Sequence, residues 1–443
     1  MAVTRGRGHA HIDGTGSDNM EALMRSNSTN MHRRRLLVGI GQLAGAAAIT
    51  TSVPALAKQM GRVRVIGSSD TLRPRIGRPE LDVVNGRVFM REMKAQNLYR
   101  TIFQLPTTYD VAEINFDQSE SYIRGKAFQP IDIRRIKMWD AVWETLNITE
   151  YGGSPPAGDG PLRWLWVDSA GLPSSDETGF ISALPVAISL ETLAFLPDEK
   201  WPWIDSWGAL IDPEFSGDVA ITSDPTTGII DLGMAARATG KLSISTLDEL
   251  SDMSRDLIDD IVELAVDLRQ RGHFHRVIES RGTGIRLMSE GKVRVQTMES
   301  FPALLAGASS GARYDVLREG YRGVGRGLAL SPHLRGSDLD LAYEYINWRL
   351  SDGVAAQTVR HGLYPVNING AKNVLSAGEW NYWCLGLPAQ AVLLDSYGKP
   401  IVNKGWTRAG TGYINNLSRV SIWNSRFKEH QYLLKRWANF LEA

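Results

Sequence analysis

Three arginines and two leucines, Arg33-Arg34-Arg35-Leu36-Leu37, open a weakly apolar run rich in Gly and Ala that closes at Ala55-Leu56-Ala57, just before Lys58. A basic stretch, an apolar stretch and a small-x-small site in that order form an export signal with its cleavage point. The Arg pair is what the twin-arginine exporter reads. The run contains Gly39, Gly41, Gln42, Gly45, Thr50 and Ser52, and is too polar for a spanning helix, which needs ~20 mostly apolar residues. The sequence thus predicts a leader over 1–57, cleavage after Ala57, and a mature chain that folds before it crosses the membrane. Its partner in that step is the twin-arginine export machinery, and its expected location is the periplasm.

Export narrows the functional classes, and composition narrows them further. Lys+Arg and Asp+Glu number 49 each, a balance that argues against nucleic acid or a membrane surface as partner. The single cysteine, Cys384, allows no internal disulfide and reads as a small buried apolar residue. Gly323-Val324-Gly325-Arg326-Gly327 has neither the dinucleotide nor the phosphate-loop spacing, and reads as a flexible turn before a strand at Leu328–Leu330. His273 and His275 have no further ligand at helical spacing and read as the end of a helix. No metal and no cofactor are expected. No nucleophile elbow is present, and no local constellation argues for an enzyme.

The mature chain alternates short strands with helices, the pattern of an α/β fold with largely parallel sheets. Strands are expected at Val63–Gly67, Tyr109–Ile114, Leu162–Val167, Ile181–Ile188 and Gly217–Ile221. Leu257, Ile258, Ile261, Val262, Ala265 and Leu268 recur at i, i+3, i+4, i+7 and predict an amphipathic helix. Acidic residues stand early in it, Arg269 and Arg271 late, and Gly272 stops it. A second helix is expected from Ser337 through Trp348.

Several segments, in order, resemble the extracellular solute-binding proteins of ABC importers, and among them the spermidine/putrescine-type group. They are Ser206-Trp207-Gly208-Ala209-Leu210 through Gly217, Glu290-Gly291-Lys292-Val293, Ala342–Trp348 with Gly362-Leu363-Tyr364-Pro365-Val366-Asn367, Gly378-Glu379-Trp380, and Val420 to Trp437. The resemblance covers about residues 180–443 and is weaker over 58–180. It implies a two-lobed periplasmic binding fold of type II, with lobes joined by crossing strands. Lobe one would span 58–184 and 319–443, and lobe two 185–318. The implied activity is capture of a small polar solute (polyamine-like, amino-acid-like, zwitterionic or anionic) and delivery to an inner-membrane ABC permease by a monomer. A sensor docking on a receptor ectodomain and an exported enzyme are the competing readings.

Transfer of the family's ligand-contacting positions gives a broken match. Asp224 falls where the family has an acid, while Thr227 replaces the second acid. Glu299 falls where an aromatic is usual, and Arg326 where the central amine-binding acid stands. Tyr364 and Asn381 keep polar roles, and Asn115 and Asp117 are the first-lobe candidates. An Arg in the cleft repels a diamine and suits a carboxylate or phosphate-like group, so a zwitterion or substituted anion is the expected solute. The other reading of Arg326 is a salt bridge between the lobes, and the residues alone leave both open.

Overall fold

The computed structural model describes residues 61–68, 86–148, 155–299, 310–408 and 412–443. The expected leader, its Arg pair and its cleavage site lie outside the described residues. Among the described residues no helix is long and apolar enough to cross a membrane.

The strands are β1 (Gly61–Ser68), β2 (Gly86–Met93), β3 (Val111–Asn115), β4 (Ile131–Asp132), β5 (Phe180–Ile181), β6 (Leu184–Phe195), β7 (Val219–Thr222), β8 (Phe274–Ile278), β9 (Val295–Glu299), β10 (Arg313–Tyr314), β11 (Tyr321–Leu330), β12 (Tyr364–Pro365), β13 (Leu393–Leu394), β14 (Pro400–Val402) and β15 (Val420–Trp423). One curled sheet runs in the order β2-β1-β3-β11-β6-β9-β7-β8. Its two ends are parallel, β1 with β2 and β3, and β7 with β8 and β9. The middle is antiparallel.

β6 and β11 join the two ends. All 12 residues of β6 and all 10 of β11 are buried, so both read as continuous strands hidden on both faces. Leu184–Ala187 of β6 lies beside the stretch of β11 that pairs with β3. Farther along β6, Glu191–Phe195 pairs with β9 of the other half. One strand therefore belongs to both halves.

The Gly323–Gly327 run is not a turn. It lies inside β11, and its glycines alternate on one face. A Cβ on Gly323 would come within 2.6 Å of Trp423, one on Gly325 within 2.5 Å of Pro161, and one on Gly327 within 2.6 Å of Phe116. The glycines are there for close packing against rings, not for an unusual φ. The strand expected at Leu162–Val167 reduces to isolated bridges at Trp166 and Val167. The expected Ile181–Ile188 strand is divided: Ile181 ends β5, and Leu184–Ile188 begins the longer β6.

The two expected helices form, as Arg255–Gln270 and Gly336–Trp348. Arg255–Gln270 starts on Ser254, whose Oγ accepts from Leu257 N at 3.2 Å. Pro225–Thr239 starts on Asp224 and Pro225, and ends at Gly240 in the left-handed conformation (φ 66°), the arrangement that satisfies the last carbonyls. Arg255–Gln270, Pro225–Thr239 and His430–Glu442 share one core, with Ile229, Leu232, Ile258, Ile261, Trp437 and Phe440 at its centre. The C-terminal helix therefore packs on the core that holds residues of β7, β8 and β9. In the other half, Ile66, Ala112 and Ile114 face one core, while Val63, Val65 and Val111 face a second.

Candidate functional site

A cleft of about 1050 Å³ opens between the two parallel ends of the sheet. Its walls come from the carboxyl ends of strands: Ser68 ending β1, Asn115 ending β3, Asp224 after β7 and Ser280 after β8. That is where open α/β sheets present ligand sites, because the loops there diverge and helix N-termini point inward. Its floor is the crossing pair, through Glu191, Arg322, Val324 and Arg326.

Five of the eight expected residues line this cleft. Asn115 ends β3 and pairs in register with Arg326. Asp117 follows in a 3₁₀ turn, Phe116–Gln118. Asn115 Oδ1 and Asp117 Oδ1 are both buried and, among the described residues, have no hydrogen-bond partner. Burial raises the Asp117 carboxyl from 3.8 to about 7; Asp224 on the opposite wall and Asp159 add to the rise, and Arg426 opposes it. Asp224 caps its helix, with Oδ1 accepting from Thr227 N at 2.8 Å. Thr227 thus serves Asp224 through its backbone while its residue lines the cleft.

Arg326 is 5 % exposed, and its Nη2 lies 3.4 Å from Ser189 Oγ. It also stands near the carboxylate of Glu113, which Arg349 approaches at 3.5 Å and the Tyr345 hydroxyl at 3.1 Å. Glu299 ends β9 directly opposite Glu191 in register.

Two expected residues sit elsewhere. The Tyr364 hydroxyl accepts from Arg408 Nη2 at 2.8 Å and from Asn416 Nδ2 at 2.9 Å, and burial pushes its phenol up to about 12. Asn381 is half-buried on the helix Ala377–Trp383, and its carbonyl accepts from Leu387 N. The physical reason lies in the segment after that helix, which brings Arg408 onto the Tyr364 ring at 5.0 Å and turns the tyrosine away from solvent.

The sequence reading missed several cleft residues. Tyr99 and Tyr122 form an aromatic wall, with ring centroids 5.9 Å apart, and Arg426 stands 4.9 Å over Tyr99. Arg322 bonds Asp231 at 2.7 Å and Asn424 at 2.7 Å, and so ties β11 to the helix Pro225–Thr239 of the second half. His430 is lowered to about 4 by burial and by Arg426, so it is neutral at pH 7. The signal for Arg322 was available once β11 is read as a strand, because residues 322, 324 and 326 then share a face.

Among the described residues no group of three or more His, Cys, Asp or Glu is placed to hold a metal. His273 is buried, with Nε2 2.9 Å from Leu210 O. Cys384 is buried in an apolar cluster, and its thiol is pushed up to about 12, which makes it a poor nucleophile.

No family model and no curated protein matches the chain. Solved structures do. The spermidine/putrescine ABC transporter substrate-binding protein PotD from Streptococcus pneumoniae, solved with calcium and HEPES, superposes with a TM-score of 0.55 at 14% identity, covering 86% of this chain and 98% of that one. The TpPotD lipoprotein of Treponema pallidum gives 0.55 at 9%, over 86% and 98%. The periplasmic binding protein MotA from A. tumefaciens B6, in complex with glucopine, gives 0.53 at 11%, over 86% and 99%. The fold is thus the two-lobed α/β arrangement of solute-binding proteins.

Proposed function

We propose that this chain is the exported solute-binding component of an ABC importer. It captures a small polar solute in the cleft and presents it, as a monomer, to an inner-membrane permease. The twin-arginine leader would bring it folded to the periplasm. The likeness in fold to ABC substrate-binding proteins supports this reading. The observation that carries it furthest is the pair of unpartnered acceptors, Asn115 Oδ1 and Asp117 Oδ1, on one wall of a cleft whose opposite wall holds Asp224. Buried acceptors call for donors, so the solute bears an amine on that side.

Arg326 and Arg426 line the same cleft and favour a carboxylate or phosphate-like group at the other end of the solute. A zwitterion fits both sets of charges better than a linear polyamine. Glu299, Thr227 and Asp224 are assigned to the second-lobe side of the site, and hinge closure between the lobes would bring both sides onto the solute.

The test is a thermal-shift screen of residues 58–443 against amino acids, their sugar conjugates, polyamines, organic acids and phosphonates, followed by calorimetry. Binding raises the melting temperature by mass action. A zwitterionic hit that Asp117→Asn and Arg326→Ala each weaken supports the reading. Binding of putrescine or spermidine alone, unaffected by Arg326→Ala, overturns the zwitterion assignment. Turnover of a solute with no stable complex overturns the importer.

A further inference from the structure

We propose that a small monovalent anion of the halide class binds in a buried box around Arg408, apart from the cleft. Arg408 is 7 % exposed. Its guanidinium donates to Trp383 O at 2.5 Å, to the Tyr364 hydroxyl at 2.8 Å and to the Tyr314 hydroxyl at 3.2 Å. It stands 5.0 Å from the Tyr364 ring and 5.4 Å from the Trp383 ring. Among the described residues no carboxylate pairs with it. Arginine cannot shed its proton, and a buried charge without a counter-charge is strongly disfavoured.

Other buried groups within its reach are donors. Tyr321, Tyr382 and Trp383 are 2 %, 0 % and 1 % exposed, and the Tyr321 hydroxyl, Tyr382 hydroxyl and Trp383 Nε1 have no partner among the described residues. Both phenols lie within electrostatic reach of Arg408. Burial holds them protonated, so they remain able to donate. The unpartnered acceptor of the group, Asn416 Oδ1, belongs to an amide whose O and N exchange by a half-turn. Turned over, it accepts from the Tyr364 hydroxyl and adds a further donor to the box.

One guanidinium and several neutral donors make a receptor for one negative charge, and a dianion would leave an unmatched charge in the core. The box lies against both crossing strands. Tyr321 begins β11, and Tyr364 pairs with Ile188 of β6. None of its residues lines the cleft. The anion is thus a structural counter-ion for the region that joins the halves, whatever solute the cleft takes.

The experiment uses the wild-type protein. Crystals soaked in sodium bromide are expected to show an anomalous peak within contact distance of the Arg408 guanidinium. At matched ionic strength, chloride or bromide in place of gluconate is expected to raise the melting temperature by about 2–4 °C, and Arg408→Met to abolish that difference. A water or a side-chain carboxylate at the guanidinium overturns the proposal. A rise with acetate but not with halide overturns the halide class. A peak without a thermal response marks an adventitious ion only, and overturns it equally.

Discussion

Arg322 on β11 and Asp231 on the helix Pro225–Thr239 form an ion pair of 2.7 Å, with side chains 1 % and 0 % exposed. Arg322 also donates to Asn424, and its Nη2 stands 4.0 Å from Glu191. A strand that serves both halves is thus pinned to the first helix of the second half, directly beneath the cleft. Removing one partner strands a buried charge. Arg322→Met and Asp231→Asn are each expected to lower stability by about 3–5 kcal/mol, whereas an apolar replacement of both loses much less. Urea unfolding of the two single variants and the double variant checks this. Equal losses in all three would mean that the pair contributes through packing alone.

The glycines of β11 make a second expectation. Gly325→Ala places a methyl 2.5 Å from Pro161 Cγ, a contact that forces a ring or the strand to move. Overpacking of this kind costs about 1–3 kcal/mol. Gly353 has open space around its Cβ position, and Gly353→Ala serves as the control in the same denaturation series. A Gly325→Ala variant as stable as the control would show that Pro161 yields freely.

These glycines also mark where the sequence stopped being legible. The amphipathic helix was readable because its signal is local, and its expected core (257–268) lies inside Arg255–Gln270. A Gly at every second position looks like a turn when glycine is read as backbone freedom. In β11 its role is closeness to Trp423, Pro161 and Phe116, which come from distant parts of the chain. The same division holds in the cleft. Asp224 comes from the family resemblance, and Asn115 and Asp117 from their place at the end of an expected strand. Arg322 and Glu191 depend on strand register, Tyr99 on how a helix packs, and Tyr364 is diverted by Arg408, 44 residues later. None of that is encoded in neighbouring residues.

Asp117 gives the cleft a pH dependence whose sign follows from its raised pKa. The folded protein holds this proton up to about 7, while an ordinary carboxyl loses it near 3.8. Its contribution to the stability of the solute-free protein is therefore full below 3.8 and is lost as pH rises through 7. A solute amine favours the ionised carboxylate, so binding should release a proton below pH 7 and tighten between pH 5.5 and about 7.5. Asp224, Asp159 and Arg426 face the group, and burial raises the Asp159 carboxyl as well. Calorimetry at pH 6 in buffers of different ionisation heat measures the proton release, and Asp117→Asn should remove it. Proton uptake on binding would contradict an amine at this position.

The last expectation concerns the C-terminal helix. Trp437 is 1 % exposed, and its Nε1 donates to Ser223 O at 3.0 Å. Ser223 immediately precedes Asp224, the residue that caps the helix Pro225–Thr239 on the cleft wall. The indole also packs so closely on Gly228 that a Cβ there would lie 2.5 Å from its ring. Position and orientation of Asp224 thus depend on a side chain more than two hundred residues away. Trp437→Ala should lower stability by about 3–5 kcal/mol through the cavity it leaves. Trp437→Phe keeps most of the packing and removes the hydrogen bond, at about 0.5–1.5 kcal/mol. If the bond fixes the cap, the Phe variant loses solute affinity as well as stability, and Asp224→Asn introduced on top of it costs less affinity than it does alone. Additive effects of the two substitutions would show that the helix supports the fold without setting the site.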